Sequence, residues 1–151
     1  MLFLQFQAAD NNFGISVDDI VEIIPPVNLK SIARAPAYVP GQFNYRGKLV
    51  PVIDISLLIS GSRVKNLLST RIILVKYQPA ENREETIGLM CEQVMDIVEP
   101  EAEAFETPGY VAEQTPYLGK VIYHKNKIFQ LVKTDDLLNE DLKKRLFSEK
   151  I

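Results

Sequence analysis

The sequence has no tryptophan, one histidine and one cysteine among its residues. Each scarcity excludes something. Cys91 has no partner for an internal disulfide, so a reducing interior such as the cytoplasm is the expected setting. One histidine and one cysteine cannot supply the nitrogen and sulfur ligands of a zinc site. The histidine, His124, falls in an expected turn, and no motif sets a serine or Cys91 against it as a hydrolytic triad requires. There is no glycine-rich phosphate loop or dinucleotide fingerprint. The acidic pairs Asp18-Asp19, Glu84-Glu85 and Asp135-Asp136 lack calcium-loop spacing and read as solvated charge. Neither catalysis nor a cofactor is therefore expected. No dense basic run occurs and the formal net charge is −3, which gives nucleic acid no electrostatic foothold. No stretch approaches the roughly 20 apolar residues needed to cross a bilayer. Residues 1–8 lack the charged flank and apolar run of a signal peptide. Direct membrane contact is not expected, and partners would have to bring the protein to a membrane.

What is present is an ordinary globular chain of 151 residues, 46% of them hydrophobic, enough to bury a core without covalent staples. Its most informative feature is internal repetition. Residues 13–26, opening Phe13-Gly14-Ile15, match residues 87–100, opening Ile87-Gly88-Leu89, in glycine, acidic positions, isoleucine and final proline. Residues 41–53 and 119–131 share the layout strand, polar turn, strand. Two matches in the same order argue for two similar, intertwined lobes within a single domain spanning residues 1–151.

The local signals are mainly β. An apolar strand at residues 2–7 is followed by Asp10-Asn11-Asn12, a turn. Arg46-Gly47 and Lys125-Asn126 stand where tight hairpins need positive φ. Residues 71–77 are apolar and rich in β-branched side chains, a buried strand, and residues 78–85 read as the hairpin loop after it. Ser16 suits the cap of a single helical turn. Leu138, Leu142 and Leu146 form one stripe of a C-terminal helix, with Thr134, Asp135 and Asp136 at its start and Lys143, Lys144 and Arg145 at its end. Residues 100–116 read as an acidic surface connection. Many short strands with turns between them point to two small barrels.

Two segments are more constrained than packing requires. Prolines and glycines of residues 35–47 fix a bent backbone that presents Asn44 and Arg46 at a hairpin mouth. Arg46 either forks onto a partner's carboxylate or carbonyl or ties the turn to a loop, and Asn44 either meets a partner or bonds its own backbone. Residues 20–26 are either a contact strand or a core strand with Glu22 on its wet face.

These same residues resemble the CheW family, the coupling proteins of bacterial chemotaxis. The likeness runs through Phe13-Gly14-Ile15, Val21-Glu22-Ile23, Ala35-Pro36-Ala37-Tyr38-Val39, Asn44-x-Arg46-Gly47 and Val50-Pro51-Val52-Ile53-Asp54, and continues to Leu138. It implies two SH3-like five-stranded β-barrel lobes sharing a hydrophobic core, with a C-terminal helix. It also implies an adaptor that couples the cytoplasmic tips of chemoreceptors to the regulatory domain of a CheA-type histidine kinase. Gly41, Asn44 and Arg46 match the family's interaction loop, and Ile20 and Glu22 match a strand near the contacts. An apolar groove between the lobes, rimmed by Arg46 and Glu22, would take a receptor helix. Tyr45 departs from the family pattern, standing where an aliphatic residue is usual. Two other readings are a separated regulatory module of a chemosensory kinase and a small-molecule sensor with a pocket between the lobes.

Overall fold

The computed structural model describes residues 1–109 and 115–147. Among the described residues eleven strands form two sheets. Sheet I has the order β8-β1-β2-β11-β10-β9 and sheet II the order β3-β6-β7-β5-β4. The strands are β1 (Phe3–Ala8), β2 (Asn11–Ser16), β3 (Ile20–Ile24), β4 (Gly41–Tyr45), β5 (Lys48–Asp54), β6 (Arg71–Ala80), β7 (Arg83–Cys91), β8 (Gln93–Val98), β9 (Phe105–Glu106), β10 (Leu118–His124) and β11 (Lys127–Val132). Sheet II has the five expected strands, and sheet I gains a sixth through the two residues of β9. The described residues also form two α-helices, α1 (Ile55–Ser60) and α2 (Glu140–Leu146).

The repeated segments are the places where the chain changes sheets. After β2 it passes through a single turn at Val17–Asp19, capped by Ser16, and leaves sheet I for sheet II as β3. After β7 it makes the reverse passage at Glu92 and enters sheet I as β8. Glu92 is buried, its N–H donates to the Gln7 carbonyl at 2.9 Å, and its carboxylate accepts from the Ala9 N–H at 3.0 Å. Each sheet therefore combines a strand from one repeat with the hairpin from the other. The two joins are its parallel pairs, β2 with β11 and β5 with β7.

The unbroken run Ile72-Ile73-Leu74-Val75 follows from this plan. Alternate side chains of a strand point to opposite faces. Ile72 and Leu74 enter a core inside sheet II, while Ile73 and Val75 enter a larger core between the sheets. All four are fully buried. In β1, Phe3 faces the interior of sheet I, whereas Leu4 and Phe6 face the shared core. Both sheets are rolled. Phe3 meets Phe105 of edge strand β9 with ring centroids 5.9 Å apart, while Val98 of the opposite edge joins the same cluster.

The paired glycines allow this rolling. A Cβ on Gly14 would lie 2.7 Å from the Phe129 ring, and one on Gly88 would lie 2.8 Å from Ile72. Each sits where the inner core of its sheet is tightest. Cys91, at the second crossing, is fully buried, and burial pushes its thiol up to about 12.

Three local expectations need correction. Residues 78–85 are not a loop: β6 and β7 continue to Ala80 and Arg83, leaving only a two-residue turn in which Asn82 takes φ 59°. Long-range bonds hold the extension, the Gln78 N–H to Asp135 and the Arg83 guanidinium to the Phe147 carbonyl. The C-terminal helix begins later than Thr134, because Asn139 caps it by accepting from the Leu142 N–H at 2.8 Å, and Thr134–Asp136 is a separate short turn. α1 was not anticipated, although Asp54 caps it and Gly61 ends it in the left-handed region. Within residues 100–116, a turn at Ala102–Ala104 and β9 interrupt the surface connection, and residues 110–114 lie outside the described residues.

Two outcomes follow from the packing. Gly88→Ala should destabilise the fold by about 1–3 kcal/mol, since the added methyl has no room, as read from the urea midpoint. Tyr77→Phe should raise stability by about 1 kcal/mol, because the Tyr77 hydroxyl is buried without a hydrogen-bond partner among the described residues.

Candidate functional site

Sheet II places the expected contact residues on and beside its two edge strands. The β4–β5 hairpin closes through Arg46 and Gly47, with φ of 51° and 88°. Asn44 stabilises this turn: its Oδ1 accepts the Gly47 N–H at 2.9 Å. Gly41 is buried at the start of β4, and a Cβ there would lie 2.6 Å from the Lys30 carbonyl. Its smallness lets the segment around Lys30 bridge to Gln42 through two backbone bonds of 2.8 and 2.9 Å. Ile20 begins β3 and packs its side chain against the shared core. The sequence motif thus contains two positions that shape the backbone, one that anchors the strand, and one extended cation.

That cation is Arg46. Its side chain is 77% exposed, and Nη2 lies 3.4 Å from Oε1 of Glu22. The guanidinium carbon stands 5.1 Å from the centroid of the Tyr45 ring. Tyr45 donates its hydroxyl to the same Glu22 oxygen. β3 and β4 are the two ends of sheet II, so this trio joins the opposite edges of one rolled sheet. Beneath it, Ile24, Leu29, Phe43 and Tyr45 close the inner core.

The expected groove between the lobes, rimmed by Arg46 and Glu22, is therefore corrected. Arg46 and Glu22 bond to one another within sheet II and do not face each other across the boundary between sheets. The physical reason is Tyr45, whose hydroxyl reaches Glu22 as the usual aliphatic residue would not. Sequence reasoning saw Tyr45 as a departure but missed its partner, because Glu22 lies 23 residues away and no local pattern links them.

Glu22 shares a strand face with Ile24 and reaches across to Tyr45, and its neighbours lie on the opposite, outer face. Val21 is 42% and Ile23 39% exposed, and Val27 continues the apolar strip. Among the described residues β3 pairs only with β6, so this strip lies on a sheet edge. Leu49, beyond the Arg46 turn, is 62% exposed. Exposed aliphatic residues on an edge strand beside a protruding arginine are features of protein recognition, where backbone, apolar and charge-assisted contacts combine. His124 and Cys91 lie in sheet I and at the second crossing, apart from this site. Among the described residues no group of three or more His, Cys, Asp or Glu is placed to hold a metal ion, and no helix is long and apolar enough to cross a membrane.

The fold and this surface together define a β-rich protein-contact module. Comparison with known proteins gives its family. The CheW-like domain model matches residues 2–142. The chemotaxis protein CheW of Helicobacter pylori is 19% identical over 140 residues, covering 92% of this chain and 82% of that one. CheW of Klebsiella aerogenes is 25% identical over 141 residues with the same coverage. The crystal structure of the scaffolding protein TtCheW from Thermoanaerobacter tengcongensis superposes with a TM-score of 0.80 at 22% identity, covering 92% of this chain and 94% of that one. The chain belongs to the CheW-like domain family.

The Tyr45–Glu22 bond has a spectroscopic consequence. Ionising the phenol would lose the bond and set a phenolate beside the Glu22 carboxylate, so the Tyr45 pKa is raised, chiefly by that hydrogen bond and secondarily by desolvation. Glu22→Gln should bring the Tyr45 titration back toward 10, followed by phenolate absorbance. Arg46→Ala should move it further up, because the guanidinium favours phenolate.

Proposed function

We propose that this chain couples the cytoplasmic tips of chemoreceptors to the regulatory domain of a CheA-type histidine kinase, acting as one domain over residues 1–151 and performing no catalysis. Arg46, on its Asn44-stabilised turn, meets a carboxylate or carbonyl of a partner. Val21 and Ile23, on the edge strand that Ile20 anchors and Glu22 fixes, supply the apolar contact. Gly41 serves indirectly by setting the approach of the Lys30 segment. The protein works in the cytoplasm, and its partners bring it to the membrane.

The observation that carries this reading is the fully extended cation beside an apolar sheet edge, in a chain matched to the family over residues 2–142. Among the described residues Arg46 meets Glu22 through one nitrogen at 3.4 Å and lies over the Tyr45 ring, which leaves its other donors for a partner. An exposed pair of this kind contributes little to stability, which allows its loss to be tested without unfolding the protein.

Isothermal titration with the regulatory domain of the kinase from the same genome tests the proposal. Wild type should bind in the micromolar range or tighter, and Arg46→Ala should weaken binding about tenfold or more with an unchanged melting temperature. Absence of binding at high micromolar concentration, or equal binding by the variant, would contradict it.

A further inference from the structure

The repeat that builds the two sheets also exposes where they differ. Gln5 pairs with Gly14 in sheet I as Leu74 pairs with Gly88 in sheet II. Leu74 is fully buried in an apolar core. Its counterpart is an amide, 7% exposed. Asp96 takes the place of Glu22 in the repeated layout, and, counted from the two hairpin turns, His124 takes that of Tyr45 and Lys125 that of Arg46. In sheet II the longer trio closes the gap between the sheet edge and the hairpin turn. In sheet I the carboxylate arm is one methylene shorter, an imidazole replaces the phenol and a lysine ammonium replaces the guanidinium. The gap stays open as a cavity of about 500 Å³, with Gln5, Asp96, Glu99, His124, Lys125 and Lys127 among its lining residues.

These side chains are unspent. Among the described residues, the Gln5 amide has no hydrogen-bond partner, and Asp96, Glu99, Lys125 and Lys127 form no ion pair. Gln5 is 7% exposed and its amide atoms are not sealed from solvent, so they are open to whatever enters the cavity. Its atoms face the cavity, since it lines that space.

We propose that this cavity binds a small zwitterion, a molecule carrying an ammonium or guanidinium group together with a carboxylate. Two carboxylates and two ammonium groups line it, so a ligand of one charge would leave the other sign unmatched. The Gln5 amide donates and accepts, and can bond either end of such a ligand. The volume suits a small molecule and is typical of ligand sites. Bound there, the zwitterion would brace β8 against the β10–β11 turn, as Tyr45 and Arg46 brace β3 against the β4–β5 turn. The site is separate from Arg46 and does not depend on the coupling role.

The test is NMR on the full chain, following the Gln5 side-chain amide and the His124 ring. The probes are the common free amino acids and 5-aminopentanoate, each titrated into the millimolar range, with pentylamine and pentanoate as single-charge controls. At least one zwitterion should give saturable shifts at both residues while the controls give none. Asp96→Asn, a surface change, should weaken that binding about tenfold. Gln5→Leu, which installs the residue found in sheet II, should abolish it with the fold retained. Absence of saturable shifts from every zwitterion, equal shifts from a single-charge control, or unchanged binding by Asp96→Asn would overturn the proposal.

Discussion

The core between the two sheets is the constraint on which the rest of the structure depends. Ile73 and Val75 of one sheet and Leu4 and Phe6 of the other bury the same space, together with Ile15, Ile87 and Leu89. The chain crosses between the sheets at both repeated segments, so neither sheet is made from one continuous stretch of sequence. Each central strand must then be apolar on both faces, one toward its own interior and one toward the shared space. α2 and Phe147 seal the same core, the Phe147 ring stacking on Tyr77 at 5.6 Å. Arg145 ties that end to the long loop before β4 through the Arg34 carbonyl at 2.6 Å.

Placing the core there leaves each sheet to roll about a smaller interior of its own. Rolling brings opposite edge strands within reach, and the side chains at that seam decide what the lobe presents to solvent. In sheet II the seam is closed by Tyr45 bonding Glu22 with Arg46 beside them, and Val21 and Ile23 lie outward. In sheet I shorter side chains leave it open over Gln5. One duplicated plan thus gives a braced contact surface on one lobe and a polar cavity on the other. A rigid, pre-shaped surface loses little conformational freedom on binding, which suits an adaptor whose work is positioning.

Much of this was legible in the chain because its signals are local. Arg46-Gly47 and Lys125-Asn126 announced hairpins through their tolerance of positive φ, and both turns adopt it. Gly14 and Gly88 announced the duplication because each must be small at the same place in its lobe. The mainly β character and the two-lobed plan followed from those features. The losses were non-local. The β6–β7 hairpin looked like a loop because Gln78 and Arg83 are polar, yet Asp135 and Phe147, far along the chain, hold them in place. Glu22 and Arg46 were each picked out, but their union through Tyr45 depends on how sheet II rolls. The start of the C-terminal helix was displaced because Thr134, Asp135 and Asp136 are as good a cap as Asn139, and tertiary packing of buried Leu137 and Leu138 made the choice.

Coupling requires more than two separate affinities: both partners must be held at once. Analytical ultracentrifugation of this protein mixed with a receptor-tip fragment and the kinase regulatory domain measures that directly. The account predicts a ternary species containing all three, formed at concentrations where receptor tip and regulatory domain alone do not associate. If the two partners instead displace one another from this protein, so that only binary complexes sediment, the adaptor account is contradicted.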